Sequence, residues 1–150
     1  MKRRNGFTLI EMLIVMVIIS LVSLISLPKL NRAFAQSNVL SAKARLMALY
    51  NTARAAAVSG NQTATLRLNG NQVLVYASPR RKAPVIPANT IDTIVRPTNL
   101  STSFGVTLSG GYDSIRVASS GLGMDSAAIV LTKYTAVDTL YISRYGRVLK

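Results

Sequence analysis

Apolar positions fall into three regimes along the chain. From Phe7 to Leu27 they run almost without a break, "FTLIEMLIVMVIISLVSLISL", with Glu11 as the only ionisable group among 21 residues. At about 1.5 Å per helical residue this stretch spans roughly 31 Å, close to the ~30 Å hydrocarbon thickness of a bilayer, so the pattern predicts a membrane-spanning helix. Pro28 follows; it cannot donate to the carbonyl of Leu24 and crowds it, which predicts a kink or loosening at the end of the span.

The second regime runs from Lys29 to about Val58, rich in alanine and without Gly or Pro. Leu40, Ala44, Met47, Ala48, Ala55 and Val58 recur at helical spacing and predict a core-facing stripe, interrupted by Asn51. Leu46 and Tyr50 fall on the opposite side, where they would be free to meet other chains. Gly60 is the expected stop. Together the two regimes make one helix of roughly 50 residues, against about 11–12 for a typical globular helix. A helix half in membrane and half under a folded head accounts for that length.

In the third regime the period drops to two. In "TATLRLNGNQVLVYA", Leu66 and Leu68 alternate with Thr65 and Arg67, and Val73 and Val75 resume the alternation after a turn expected at Asn69-Gly70. Pro79, Pro84 and Pro87 make "ASPRRKAPVIPAN" a loop. Further strands are expected at Ile91–Arg96, Phe104–Leu108, Ser114–Val117, Ala127–Leu131 and Thr139–Ser143, punctuated by Gly110-Gly111, "SSGLG" and Tyr145-Gly146. Short strands separated by turns predict an antiparallel β-domain packed on the helix, an α+β fold. There is no internal repeat, and the one boundary falls near Pro28, between residues 7–28 and a head of 29–150.

Composition narrows the chemistry. With no Cys and no His, neither a disulfide framework nor the usual zinc, thiol or imidazole chemistry is on offer. Five acids are too few to suggest catalysis; Asp92, Asp113, Asp125 and Asp138 are isolated in sequence, most beside turns where Asp bonds locally. No enzyme, metal or cofactor is expected. Gly121–Gly123 lacks the Lys-Ser/Thr and helix of a phosphate loop and reads as a turn, and the acceptor tripeptides at Asn61 and Asn99 are of a kind that arises by chance. Residues 29–150 carry 15 basic and 4 acidic groups, a net +11, so the head itself draws polyanions or acidic partners.

The N-terminus admits three readings. A basic start, an apolar run and "AFA" at Ala33–Ala35 suit a secretory signal, but the run exceeds the roughly 7–15 residues of an h-region, and Lys29 and Arg32 precede the cut. A plain anchor leaves Glu11 unexplained, since a carboxylate at mid-bilayer costs on the order of 2.5–3.5 kcal/mol and calls for a named partner. Cleavage after Gly6 supplies one: a free amino group at Phe7, one turn before Glu11, with Glu11 then at the favourable end of the helix dipole.

At this point "KRRNGFTLIEMLIVMVIISLVSLISLP" resembles the leader and N-terminal helix of type IV pilins and type II secretion pseudopilins. The resemblance rests on the basic leader 1–6, Gly6 before the cut, Phe7 as the new N-terminus, "TLIE" with Glu11, and Pro28. It implies cleavage between Gly6 and Phe7 by a prepilin peptidase, N-methylation of Phe7, and a role for Glu11 in registering subunits during assembly. It also implies a bacterial inner-membrane protein with its head in the periplasm, partnered by other pilins or pseudopilins and an inner-membrane assembly platform. The tail, "GVTLSGGYDSIRVASSGLGMDSAAIVLTK" and then "DTLYISRYGRVLK", resembles the GspH/FimT group of minor pilins. That group's head is two antiparallel sheets on the helix, closed by a Ser-x-x-Gly-Arg hairpin, matched here by Ser143, Gly146 and Arg147.

Two basic clusters remain: Arg80, Arg81 and Lys82 in the proline-rich loop, and Arg144, Arg147 and Lys150 around Tyr145. Arginines beside an aromatic can grip phosphates and stack on a base. Some FimT-like pilins linked to DNA uptake carry Gly-Arg-x-Arg at this place; here "GRVL" puts Leu149 in the last slot, with Lys150 next. The resemblance thus implies a minor pilin or pseudopilin that primes or tips a filament, with DNA capture as the alternative and a solvated basic rim, or a face for acidic neighbours, as the plain reading of the clusters.

Overall fold

A computed structural model describes residues 7–77 and 92–149. Helix α1 (Leu9–Gly60) runs through Pro28 and contributes to two compact units, 1–34 and 35–150. In the first unit no described residue is buried. The first buried residue is Ala35, about two turns beyond Pro28, so packing starts later than the boundary read from the sequence.

In the second unit α1 buries Ala35, Val39, Ala42, Lys43, Leu46, Leu49, Tyr50, Ala53 and Ala57. This reverses the expected face: Leu40, Ala44, Ala48, Ala55 and Val58 are exposed, and Leu46 and Tyr50 belong to the core. The physical reason is area. Alanines at helical spacing contribute little apolar surface, whereas Leu46, Leu49 and Tyr50 cluster on one side and gain most from burial. The helix ends at Gly60, but the left-handed residue is Asn61 (φ 48). The Gln62 amide donates to the Ala57 carbonyl at 3.1 Å and the Asn61 amide to Val58 at 3.2 Å, a Schellman cap.

Among the described residues, two four-stranded antiparallel sheets accompany α1 in the head. The first has the order β3-β2-β1-β5, from β1 (Ala64–Asn69), β2 (Gln72–Ala77), β3 (Asp92–Asn99) and β5 (Ser114–Val117). The second has the order β4-β6-β7-β8, from β4 (Thr107–Ser109), β6 (Ala127–Lys133), β7 (Ala136–Ile142) and β8 (Val148–Leu149). Alternation sends Leu66, Val73, Val75, Ile115 and Val117 from one sheet, and Ile129, Leu131, Leu140 and Ile142 from the other, into one core with the α1 face. The α+β architecture expected from the sequence is the one found.

Three local expectations are corrected. Asn69 pairs with Gln72, so the β1–β2 turn is Gly70-Asn71, one residue later than expected. Gly70 (φ 56) takes the position where a two-residue hairpin needs a left-handed residue, which frees Asn71 for other work. Its carbonyl accepts the Leu100 amide at 2.9 Å, and its side-chain Oδ1 accepts the Leu108 amide at 2.8 Å, tying the hairpin to the second sheet. Phe104 is not in a strand: Asn99 Oδ1 accepts the amides of Ser101 and Thr102 and starts a short helix, α2 (Leu100–Phe104), before β4. Strand β3 also continues past Arg96 through Pro97, tolerated because β3 is a bulged edge strand. The loop expected over 77–89 lies largely outside the described residues.

Candidate functional site

The N-terminal segment comes first. Gly6 and the basic leader lie outside the described residues. Phe7 lies before the helix, and Thr8 caps α1: its Oγ1 accepts the Glu11 amide at 3.3 Å and its carbonyl accepts the Met12 amide at 3.3 Å. Glu11 therefore occupies the third helical position of a Thr-x-x-Glu start, where a carboxylate suits both the free amides and the positive end of the dipole. The sequence reading singled out Glu11 and missed Thr8, although Thr three residues before Glu is a readable capping signal. From Phe7 to Leu27 the large apolar side chains are 44–84 % exposed. The helix is long and apolar enough to cross a membrane, and a surface of this kind requires lipid or apolar protein around it.

The C-terminal hairpin is the second region. The Ser143 amide donates to the Arg147 carbonyl (2.8 Å), the Gly146 amide to the Ser143 carbonyl (2.9 Å) and the Arg147 amide to Ser143 Oγ (3.1 Å). Arg144-Tyr145-Gly146 thus form a three-residue loop with Gly146 left-handed at φ 72. Arg144, Tyr145 and Arg147 lie on or beside this loop, all exposed. Lys150 and the cluster Arg80, Arg81, Lys82 lie outside the described residues.

The floor of this loop is the buried ring of Tyr50. A Cβ at Gly123 would lie 3.2 Å from Tyr50 Oη and 3.1 Å from the Ser143 carbonyl; one at Gly146 would lie 3.2 Å from the Gly121 carbonyl. The "SSGLG" turn and the last hairpin therefore touch backbone to backbone over α1. Tyr50 Oη has no hydrogen-bond partner among the described residues. Burial pushes its phenol above the ordinary value, with Arg54 pulling the other way.

Two of the acids that are isolated in sequence are committed to ion pairs. Asp138 on β7 takes the Lys43 ammonium on both oxygens at 2.8 Å, with the Lys43 side chain 11 % exposed. Asp125 takes a fork from Arg116: Nη2 at 2.9 Å, Nε at 2.9 Å and the backbone amide at 3.0 Å. The hydrogen bonds from Arg116 and Lys43 hold the Asp125 and Asp138 carboxyls, respectively, below the usual range, against the opposing effect of burial; Arg144 adds a lesser pull on Asp125. The first pair joins α1 to β7, and the second joins β5 to the turn that precedes β6. Among the described residues no group of three or more acidic, His or Cys side chains could hold a metal.

Residues 1–27 match the family of the prokaryotic N-terminal methylation motif. The fold of the chain is similar to that of a type IV minor pilin, FimU of Pseudomonas aeruginosa, in two crystal forms. One matches with a TM-score of 0.57 at 17 % identity, covering 75 % of this chain and 87 % of that one. The other gives 0.53 at 18 % identity, covering 73 % and 90 %. No curated protein matches the sequence. The chain thus joins a match to the N-terminal methylation motif to a head whose fold is similar to that of a minor pilin.

Proposed function

We propose that this chain is a minor pilin or pseudopilin, processed by a prepilin peptidase and built into, or onto the tip of, a type IV pilus or type II secretion pseudopilus, where it primes assembly. The observation that carries the reading is the methylation motif over residues 1–27 at the head of a pilin fold. In this reading the peptidase cuts between Gly6 and Phe7 and methylates the Phe7 amine. The apolar segment holds the subunit in the bacterial inner membrane with its head in the periplasm, Pro28 loosens the helix at the end of the span, and an assembly platform passes the subunit to other pilins. Glu11 sets register through a positive amino terminus, which offsets the cost of a carboxylate in lipid.

Mass spectrometry of the protein from its host is expected to show a chain that starts at a methylated Phe7; a chain starting at Met1 or Gln36 overturns the processing claim. Glu11→Ala is expected to leave the cut intact and to lower incorporation into filaments at least tenfold in sheared preparations.

A second reading, capture of DNA by the head, is favoured by the joint exposure of Arg144, Tyr145 and Arg147 on one loop. It predicts binding that weakens steeply with salt and is lost when Arg144, Arg147 and Lys150 are changed together to Ala.

A further inference from the structure

Beside the last hairpin lies an open groove lined by Tyr112, Ser114, Arg116, Met124, Asp125, Ser126 and Arg144. We infer that this groove is a carboxylate-binding site that takes an acidic side chain from a neighbouring protein subunit. The partner's identity rests on the pilin reading above; the site itself does not.

Two guanidinium groups flank a single carboxylate. Both Asp125 oxygens are occupied by Arg116, which spends Nε and Nη2 on them and keeps its remaining donors. Arg144 has no ion-pair partner among the described residues. The groove is therefore one negative charge short, with Arg116 already fixed in place by its fork. A second carboxylate would complete the alternation, bound by the planar donor edge that guanidinium offers to two oxygens at once. Ser114 and Ser126 add hydroxyl donors. Tyr112 and Met124, 46 % and 42 % exposed, give apolar walls that suit the methylene stem of a glutamate.

The same features disfavour a nucleic-acid strand in the groove. A polyphosphate would carry successive charges past the fixed Asp125 carboxylate, whereas one isolated carboxylate need only meet Arg144 and the free edge of Arg116. A site of this exposure binds weakly by itself, which suits a contact reinforced by others in an assembly.

The test uses the full chain in detergent micelles at low ionic strength, with a fluorescent capped peptide carrying two glutamates and its glutamine counterpart. The glutamate peptide is expected to bind at least tenfold more tightly than the glutamine one. Arg144→Ala is expected to erase that difference and Arg144→Lys to keep part of it, with circular dichroism unchanged, since Arg144 is exposed. Equal binding of the two peptides, no binding of either, or indifference to Arg144→Ala overturns the inference. So does displacement of the peptide by a single-stranded oligonucleotide at equal charge concentration, which would give Arg144 to the DNA reading. The N-terminal mass of the same sample is independent of all these outcomes, so failure here leaves the pilin reading standing.

Discussion

Replacing Asp138 with alanine is expected to destabilise the head by about 2–3 kcal/mol, read as a lower midpoint in urea. Removing one partner of a buried ion pair typically costs about 3–5 kcal/mol, because the other charge is stranded in a poor dielectric. Lys43 would be that charge, on the inner face of α1; the lower figure reflects the 31 % exposure of the Asp138 side chain, which lets water in once the carboxylate is gone. Changing both partners, Lys43→Met with Asp138→Leu, is expected to recover most of the loss, as apolar replacement of a whole pair is often neutral.

Acid should act on the same bond. The folded-state carboxyls of Asp138 and Asp125 lie below their unfolded value, so their contribution is complete above the ordinary carboxylate range. It fades as pH falls through the lowered values. The acid limb of the stability curve should therefore flatten in Asp138→Ala; an unchanged limb would mean that the pair contributes nothing.

The second large effect is expected at Gly146. Alanine there must adopt φ 72, which costs an L-residue roughly 1–2 kcal/mol. Its Cβ would also press on the Gly121 carbonyl at 3.2 Å, with Gly123 N and Tyr50 Oη close behind, and backbone cannot swing aside as a flexible side chain can. Together these predict a loss of about 2–3 kcal/mol, with overpacking as the larger share if the two loops cannot part. Gly146→Asn tests the division, because asparagine tolerates the left-handed region better but brings the same Cβ. If Gly146→Ala melts with the wild type, the close approach of the two loops is not what fixes the hairpin.

How much of this was readable in advance follows the range of the interactions. The apolar span, the strand alternation at Leu66, Val73 and Val75, and Ser114–Val117 are local patterns, and they fall where expected. Gly146 was readable as a turn residue. What failed needed the third dimension. The face of α1 was inverted because evenly spaced alanines mimic a stripe, while the weight of burial rests on Leu46, Leu49 and Tyr50. The hairpin turn slipped by one residue because Asn-Gly and Gly-Asn compete, and the choice is settled by what Asn71 bonds elsewhere. Phe104 has the β-propensity of a strand residue, but the Asn99 cap before it starts a helix instead. Lys43 with Asp138 joins α1 to β7 and is invisible to any window along the chain, whereas Arg116 with Asp125 is a nearer pair, brought together by the turn between them.

Asn71 has one more implication, for how the head comes apart. A one-residue slip of the β1–β2 hairpin would turn Val73 and Val75 outward and, in the same step, withdraw the oxygens that hold Leu100 and Leu108. Neither sheet can change register while the other stays as it is. Melting of the two layers should accordingly be a single cooperative event, seen at one midpoint by every spectroscopic probe.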